Sequence, residues 1–356
     1  MKRRKSKIER QKAARRYLTG LALLAAAVLA AVAALWYRDN RMPNFGRQYA
    51  LYIWPDMPAE QVMDSIVANC EVASMGSFRR CCASENLPAK LHPGLYRIEP
   101  GLTSRYVCRM ITRGWQSPSK IVLSGTLRNR GTIAKKIAAG VMLDSAAVAD
   151  AMADEAFLKP YGVTPETVFS LFLPDTYQIY WTADLEQIFE KLAKARDAFW
   201  TEERENKAKA QGLTPMEATI VASIVSGETT KEEEYSRIAS VYLNRLRIGM
   251  KLQADPTVAF CFDYKPTRIL LTHLQYDSPY NTYMYEGLPP APICSPSAKC
   301  IDSVLNPDGS SYLYFCASPD FNGTHRFAVS YSEHLKNAAA FHAALSSYQR
   351  SKNAGI

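Results

Sequence analysis

TPMEATIVASIVSGET, residues 214–229, is the stretch whose reading decides the fold. Thr214 suits an N-cap and Pro215 the first helical position. Glu217, three residues after the cap, completes a capping box. Ile220, Val221, Ile224 and Val225 then recur at helical spacing and define one apolar face. Glu228 follows four residues after Ile224 and seven after Val221, so it extends that face. Scarce water disfavours the charged carboxylate, and a carboxyl kept protonated near neutral pH is what a general acid needs. The competing and commoner case is a helix-end glutamate that reaches solvent.

Downstream, the acidic run 231–234 suits the start of another helix, with Tyr235, Ile238, Tyr242, Arg245 and Leu246 at helical spacing and Gly249 as its stop. Gln253, Asp255 and Thr257, then Tyr280, Asn281 and Tyr283, form two polar clusters on expected loops, where sites tend to sit. Their plain alternatives are turn initiation at Asp255-Pro256 and loop capping by 280–283. Strands are expected over 312–317 and 326–330, joined by a turn around Asn322-Gly323, before a final helix over about 333–348.

Upstream, the expected order over 47–125 is strand, helix, strand, helix, strand: a strand at 49–53, a helix at 59–72 with Val62, Ile66 and Val67 inward, and a strand near 91–98. A helix after Ser104 follows, with Val107, Met110 and Ile111 on one face, then a strand at 121–123. Residues 126–152 look helical in two segments around Gly140, and 184–206 reads as one long amphipathic helix. The fold class is therefore α+β.

The net charge of +9 is local. Residues 1–16 hold nine basic side chains and one acid, leaving about +1 for the other 340, so no nucleic-acid-binding surface is indicated. The run 18–37 carries no charge and is about long enough to cross a bilayer, with Trp36 and Tyr37 where an interfacial belt would lie. Positive charge before it places the N-terminus in the cytoplasm, and residues 39–46 read as a polar linker. An uncleaved anchor is favoured over a cleaved signal peptide ending near Ala31-Val32-Ala33, because the run exceeds a usual signal core. All eight cysteines lie beyond it, and disulfides or buried free thiols are both open. The five histidines lack metal-ligand spacing, so neither a metal nor a cofactor is expected. Carboxylates, amides and tyrosines remain, a palette suited to sugar chemistry.

The sequence resembles the endolytic murein transglycosylases, the YceG-like family. The resemblance is carried by LPDTY at 173–177, ASIVSGET at 222–229, NRLRIGMKLQADPTV at 244–258, SPYNTY at 278–283, GLPPAPI at 287–293 and YLYF at 312–315, with HPGLYRI at 92–98 in a LysM-like module. It implies a basic cytoplasmic tail (1–16), a single transmembrane helix (17–37), a small LysM-like α/β module (45–125), a connecting helical region (126–205) and a larger α+β catalytic domain (206–350). The family's catalytic glutamate falls on Glu228. Two departures sit beside it: Ser226 stands where many relatives have an acid, and Gly227 where lysine is usual. Phe169-Ser170 stand where relatives often have Glu-Gly.

The implied reaction cuts the bond between N-acetylmuramic acid and N-acetylglucosamine inside a nascent strand. Glu228 protonates the leaving oxygen, then takes the proton of the muramyl C6 hydroxyl as a 1,6-anhydro ring closes, which ends strand elongation. An ordinary glycosidase uses two carboxylates, whereas a nucleophile already attached to the substrate lets one serve twice. Gln253, Asp255, Thr257, Tyr280, Asn281 and Tyr283 are the expected sugar-binding residues. The partners implied are glycan strands and the cytoplasmic membrane, with peptidoglycan synthases as further candidates. The alternative is a catalytically silent peptidoglycan-binding scaffold of the wall-synthesis machinery, with the altered 226–227 step as its motive.

Overall fold

The computed structural model describes residues 2–353, and side chains from 9 to 350. The basic tail is thus described only from Glu9, and the side chains of 1–8 lie outside the described residues. The chain is a mixed α+β protein that divides into two compact units, 1–119 with 180–182, and 120–179 with 183–356.

The first unit opens with α1 (Lys2–Arg41), which over Glu9–Arg41 is long and apolar enough to cross a bilayer. α1 does not end in a free linker. Asp39 is buried and paired with Arg80 at 2.7 Å, and buried Asn44 donates to Ser104 Oγ at 2.7 Å and to the Ser74 carbonyl. Residues 39–46, expected as a linker, are therefore docked. β1 (Tyr49–Ile53), α2 (Ala59–Asn69), α3 (Met75–Ser84), β2 (Gly94–Ile98) and α4 (Ser104–Thr112) follow. β1 and β2 pair antiparallel, Leu51 opposite Tyr96. Alternation turns Leu51 and Ile53 inward and Tyr52 outward, as a half-buried strand requires. Val62 and Ile66 are buried as expected, but Val67 faces out, since the buried stripe of α2 is Ala59, Val62 and Ile66 and Val67 lies to its side; α2 also stops three residues short of 72. α3 was not foreseen: Cys81 and Cys82 supply its buried face, and cysteine reads weakly as apolar in a pattern. All eight cysteines are free; the sulfurs of Cys82 and Cys108 lie 3.5 Å apart.

The second unit holds two apolar clusters. The first gathers β3 (Pro118–Leu123), α5 (Arg130–Ala138), α6 (Ser145–Ala151), α7 (Glu155–Leu158), β4 (Asp175–Tyr180) and α8 (Leu185–Phe199), with β3 paired to β4. The single helix expected over 184–206 is two. α8 ends at Phe199, and Thr201 caps α9 (Glu202–Ala210) by accepting from the Arg204 amide. Acids at 202, 203 and 205 in the first turn favour that fresh start.

The second cluster is built on α10 (Pro215–Glu228), which begins at Thr214 with the expected capping box. Eight successive residues, 218–225, are buried, so α10 is enclosed on all sides rather than along one face. Thr219 and Ser223 tolerate this because their hydroxyls bond the Pro215 and Ile220 carbonyls of their own helix. Each fully buried Ile or Val contributes roughly 1.5–3 kcal/mol. Around α10 pack α11 (Tyr235–Arg247), α12 (Asp255–Cys261) and α13 (Ala298–Leu305). β5 (Tyr314–Ala317) and β6 (His325–Ala328) form an antiparallel hairpin, and α14 (Tyr331–Asn353) closes the chain.

Candidate active site

α10 delivers Glu228 as its last residue, at the mouth of a cavity of about 480 Å³. Arg128, Gly227, Glu228, Asp255, Pro256, Tyr264 and residues 266–269 line it. Glu228 is half-buried, with its remaining surface open to this cavity. Its Oε1 accepts a 2.6 Å hydrogen bond from the hydroxyl of Tyr242, a fully buried residue of α11. Burial pushes the Glu228 carboxyl up to about 7. The Tyr242 bond opposes that rise, the nearby Asp255 charge adds to it, and Arg245 opposes it. Tyr242 itself is held protonated, first by burial and then by Glu228. With Oε1 occupied by a donor, the carboxyl proton belongs on Oε2.

Arg245 lies one turn after Tyr242 and is also buried. Its Nε donates to the Leu313 carbonyl at 2.7 Å and Nη1 to the Leu252 carbonyl at 2.6 Å, and the guanidinium sits 5.5 Å from the Tyr314 ring centroid. It ties the hairpin and the 252–255 segment to α11.

Asp255 is exposed, begins α12 rather than a mere turn, and accepts from Tyr283 Oη at 2.6 Å. Burial and the Asp255 bond hold that phenol protonated. Gln253 is exposed with its backbone in the left-handed region at φ 48°, while its amide bonds the Thr282 carbonyl at 3.0 Å. Tyr280 packs on Phe260, ring centroids 4.7 Å apart. Thr257 and Asn281 are fully buried, and their polar atoms are engaged inside the protein. The Thr257 hydroxyl meets the Ala254 carbonyl and Thr282 Oγ1. The Asn281 amide donates to the Leu274 and Tyr276 carbonyls and accepts from the Tyr283 amide. The fold thus gathers Glu228 and Asp255 at one cavity and Tyr283 on Asp255, while Thr257 and Asn281 shape the loops behind.

A second cavity, about 340 Å³, shares Arg128 and Tyr264 with the first and is closed by Asn129, Arg130, Phe169, Phe260 and Asp263. Two adjoining hollows, the first lined by the carboxyls of Glu228 and Asp255 and the second by that of Asp263, suit an extended ligand.

A model of the YceG-like family matches residues 51–340. The chain belongs to the YceG-like family. A Bacillus subtilis protein named endolytic murein transglycosylase is 35% identical over 152 residues, 43% of this chain and 41% of that one. A Streptococcus pneumoniae protein of the same name is 32% identical over 171 residues, 47% of this chain and 31% of that one. The matched stretch therefore spans less than half the length of these relatives. A solved YceG-like protein of Listeria monocytogenes superposes with a TM-score of 0.52 at 27% identity, over 82% of this chain and 99% of that one.

Within this YceG-like fold, Gly227 has a steric reason. A Cβ there would lie 2.6 Å from Pro256 Cβ and 2.9 Å from its Cγ, so α10 and α12 approach more closely than a larger residue permits. Gly227→Ala is expected to cost about 1–3 kcal/mol by overpacking and to shift α12 with Asp255. Urea unfolding checks it, the expected sign being a lower midpoint at unchanged slope. Tyr242, Arg245, Arg128 and Tyr264 were not foreseen at the site. The signal for the first two was a tyrosine and an arginine on the inward face of α11, since arginine is seldom buried without cause.

Proposed function

We propose that this YceG-like chain is an endolytic lytic transglycosylase, a lyase cutting the MurNAc–GlcNAc bond within nascent peptidoglycan strands. The observation that carries the proposal is a glutamic acid raised to about 7 that lines a cavity, one oxygen bonded to Tyr242 and the other without a hydrogen bond among the described residues. The names of the B. subtilis and S. pneumoniae relatives point the same way. Glu228 gives its proton to the glycosidic oxygen as the bond to the muramyl C1 breaks. The C6 hydroxyl oxygen of that sugar then bonds to C1, and its proton passes to the Glu228 carboxylate. The acid is regenerated and a 1,6-anhydro end is left. Asp255, held by Tyr283, stabilises the positive charge at C1, and Gln253 and Tyr280 position neighbouring sugars. Tyr242 fixes which carboxyl oxygen faces the substrate.

On this reading 206–350 is the catalytic portion and 126–205 its connection. The 45–125 stretch is a LysM-like module, supported by the β1–α2–α3–β2 order with its strands antiparallel. α1 anchors the chain in the cytoplasmic membrane with the basic tail inside, where strand synthesis supplies substrate and synthases are neighbours. The test is cleavage of glycan strands in heavy-oxygen water followed by mass analysis of the new ends. Anhydro ends free of the label are expected. Labelled reducing ends would instead make the chain a hydrolase with Asp255 as base.

A further inference from the structure

The cleft contains a guanidinium that the proposed chemistry does not use. Arg128 lines both adjoining cavities, so it sits where they meet. Among the described residues no carboxylate lies within ion-pair distance of it, and its Nε is buried without a hydrogen-bond partner. The carboxylates nearby are engaged elsewhere, Glu228 with Tyr242, Asp255 with Tyr283, and Asp263, which lines the second cavity beside Arg128, with Lys265 at 3.1 Å. Its one described partner is an aromatic face: Arg128 Cζ is 5.1 Å from the Tyr264 ring centroid.

That ring is held firmly. Tyr264 Oη donates to the Ile293 carbonyl at 2.7 Å and its amide to the Ala259 carbonyl at 2.8 Å. Asp263 and Tyr264 both adopt left-handed backbone, φ 52° and 55°, a region that L-residues other than glycine disfavour. Two successive strained residues thus place a rigid platform under the arginine. A cation–π contact orients a guanidinium while leaving its N–H fork unspent. A part-buried fork without an acceptor is costly, and sugar hydroxyls do not require it. The ligand that matches is a planar anion, bound bidentately.

We propose that Arg128 reads a carboxylate carried on the muramyl side of the strand, giving the cleft a preference for glycan with free carboxylates. This rests on the proposed function above. The carboxylate has two sources with one chemistry, the lactyl group of a denuded strand and the peptide attached to it in a substituted strand. Arg268, exposed on the rim of the same cavity, adds to the local positive charge. Arg128 is a specificity residue and not a catalytic one: the charged side chains that act on Glu228 are Asp255 and Arg245.

The test uses the full chain in detergent and four substrates: peptide-bearing strands and denuded strands, each native or with carboxylates amidated. Amidation of the recognised source is expected to raise KM about tenfold for the unchanged protein. Arg128→Gln should raise KM on the native strands similarly and show no response to amidation. Arg128→Lys should recover part of the preference. The pH profile of kcat should stay in place in both variants. Affinity of the same four strands for the Glu228→Gln protein reads the preference without turnover. If native strands are bound preferentially but no form cleaves them, the transglycosylase reading fails and the carboxylate site stands. Equal affinity for native and amidated strands, or an undiminished preference in folded Arg128→Gln, overturns the proposal.

Discussion

Glu228→Gln is expected to reduce strand cleavage by roughly 10⁴-fold, because one carboxyl serves as acid and then as base. Strand affinity should change little, since the amide has the same shape and its oxygen still accepts from Tyr242. A scaffold protein behaves otherwise: cleavage and cell-wall phenotype would not respond to this change. The same variant carries a stability signature. Glu228 is raised to about 7 in the folded chain from the ordinary 4.5 of a solvated glutamate. Between those values the folded state holds a proton the unfolded state has released, so wild-type stability falls as pH rises through this window. Glutamine has no such loss. Glu228→Gln should match the wild type below pH ~4.5 and exceed it above pH ~7 by on the order of 2–3 kcal/mol. Denaturant melts at the two ends of the window read this difference directly.

Arg245→Met should have the largest effect on folding. It leaves the Leu252 and Leu313 carbonyls without their 2.6 and 2.7 Å donors. Two buried acceptors left unpaired cost roughly 2–4 kcal/mol, partly offset by no longer burying a charge. It also removes the cation that holds Glu228 down, so the Glu228 carboxyl rises further. The limb of the pH–rate profile that reports deprotonation of the acid should move to higher pH, and kcat should fall as the 252–255 segment loosens. Arg245→Lys keeps the charge but not the fork, so it should restore the pH profile better than the melting midpoint. An unmoved profile in a folded Arg245→Met protein would contradict this account of the site's electrostatics.

Much of the architecture was legible because local chemistry agreed with the final structure. Thr214, Pro215 and Glu217 announce the start of α10, and the observed capping box follows them residue for residue. Leu51 and Ile53 announce β1 by alternation, and Gly249 falls in the left-handed conformation expected just past α11. What failed to show were features settled by tertiary contact. α10 looks one-faced because Thr219 and Ser223 read as polar, yet both hide their hydroxyls in their own helix. The break at Trp200 was readable in Thr201 and the acids at 202, 203 and 205, since 201–206 carries no apolar residue that would continue the buried face of α8.

The candidate site divides the same way. Glu228 could be picked out by its spacing from Ile224 and Val225, and Asp255 by the polar cluster it forms with Gln253 and Thr257, although it begins α12 and not a loop. Tyr242 was visible only as another inward residue of α11. Its contact with Glu228 bridges 14 positions and depends on how two helices pack. Arg128 was less accessible still: it lies in a stretch read as connecting helix, about 100 residues from Glu228, and only the fold brings it to the cavity. Asn281 shows the converse, a polar loop residue whose amide the structure spends entirely on holding the loop.

The account depends on one carboxyl staying protonated near neutrality. Carbon-13 labelling of glutamate carboxyls, with Glu228 assigned by comparison with Glu228→Gln, allows that group to be titrated by NMR in the folded protein. A midpoint near 7 is expected. A midpoint near 4.5, the value for an ordinary solvated glutamate, would contradict it.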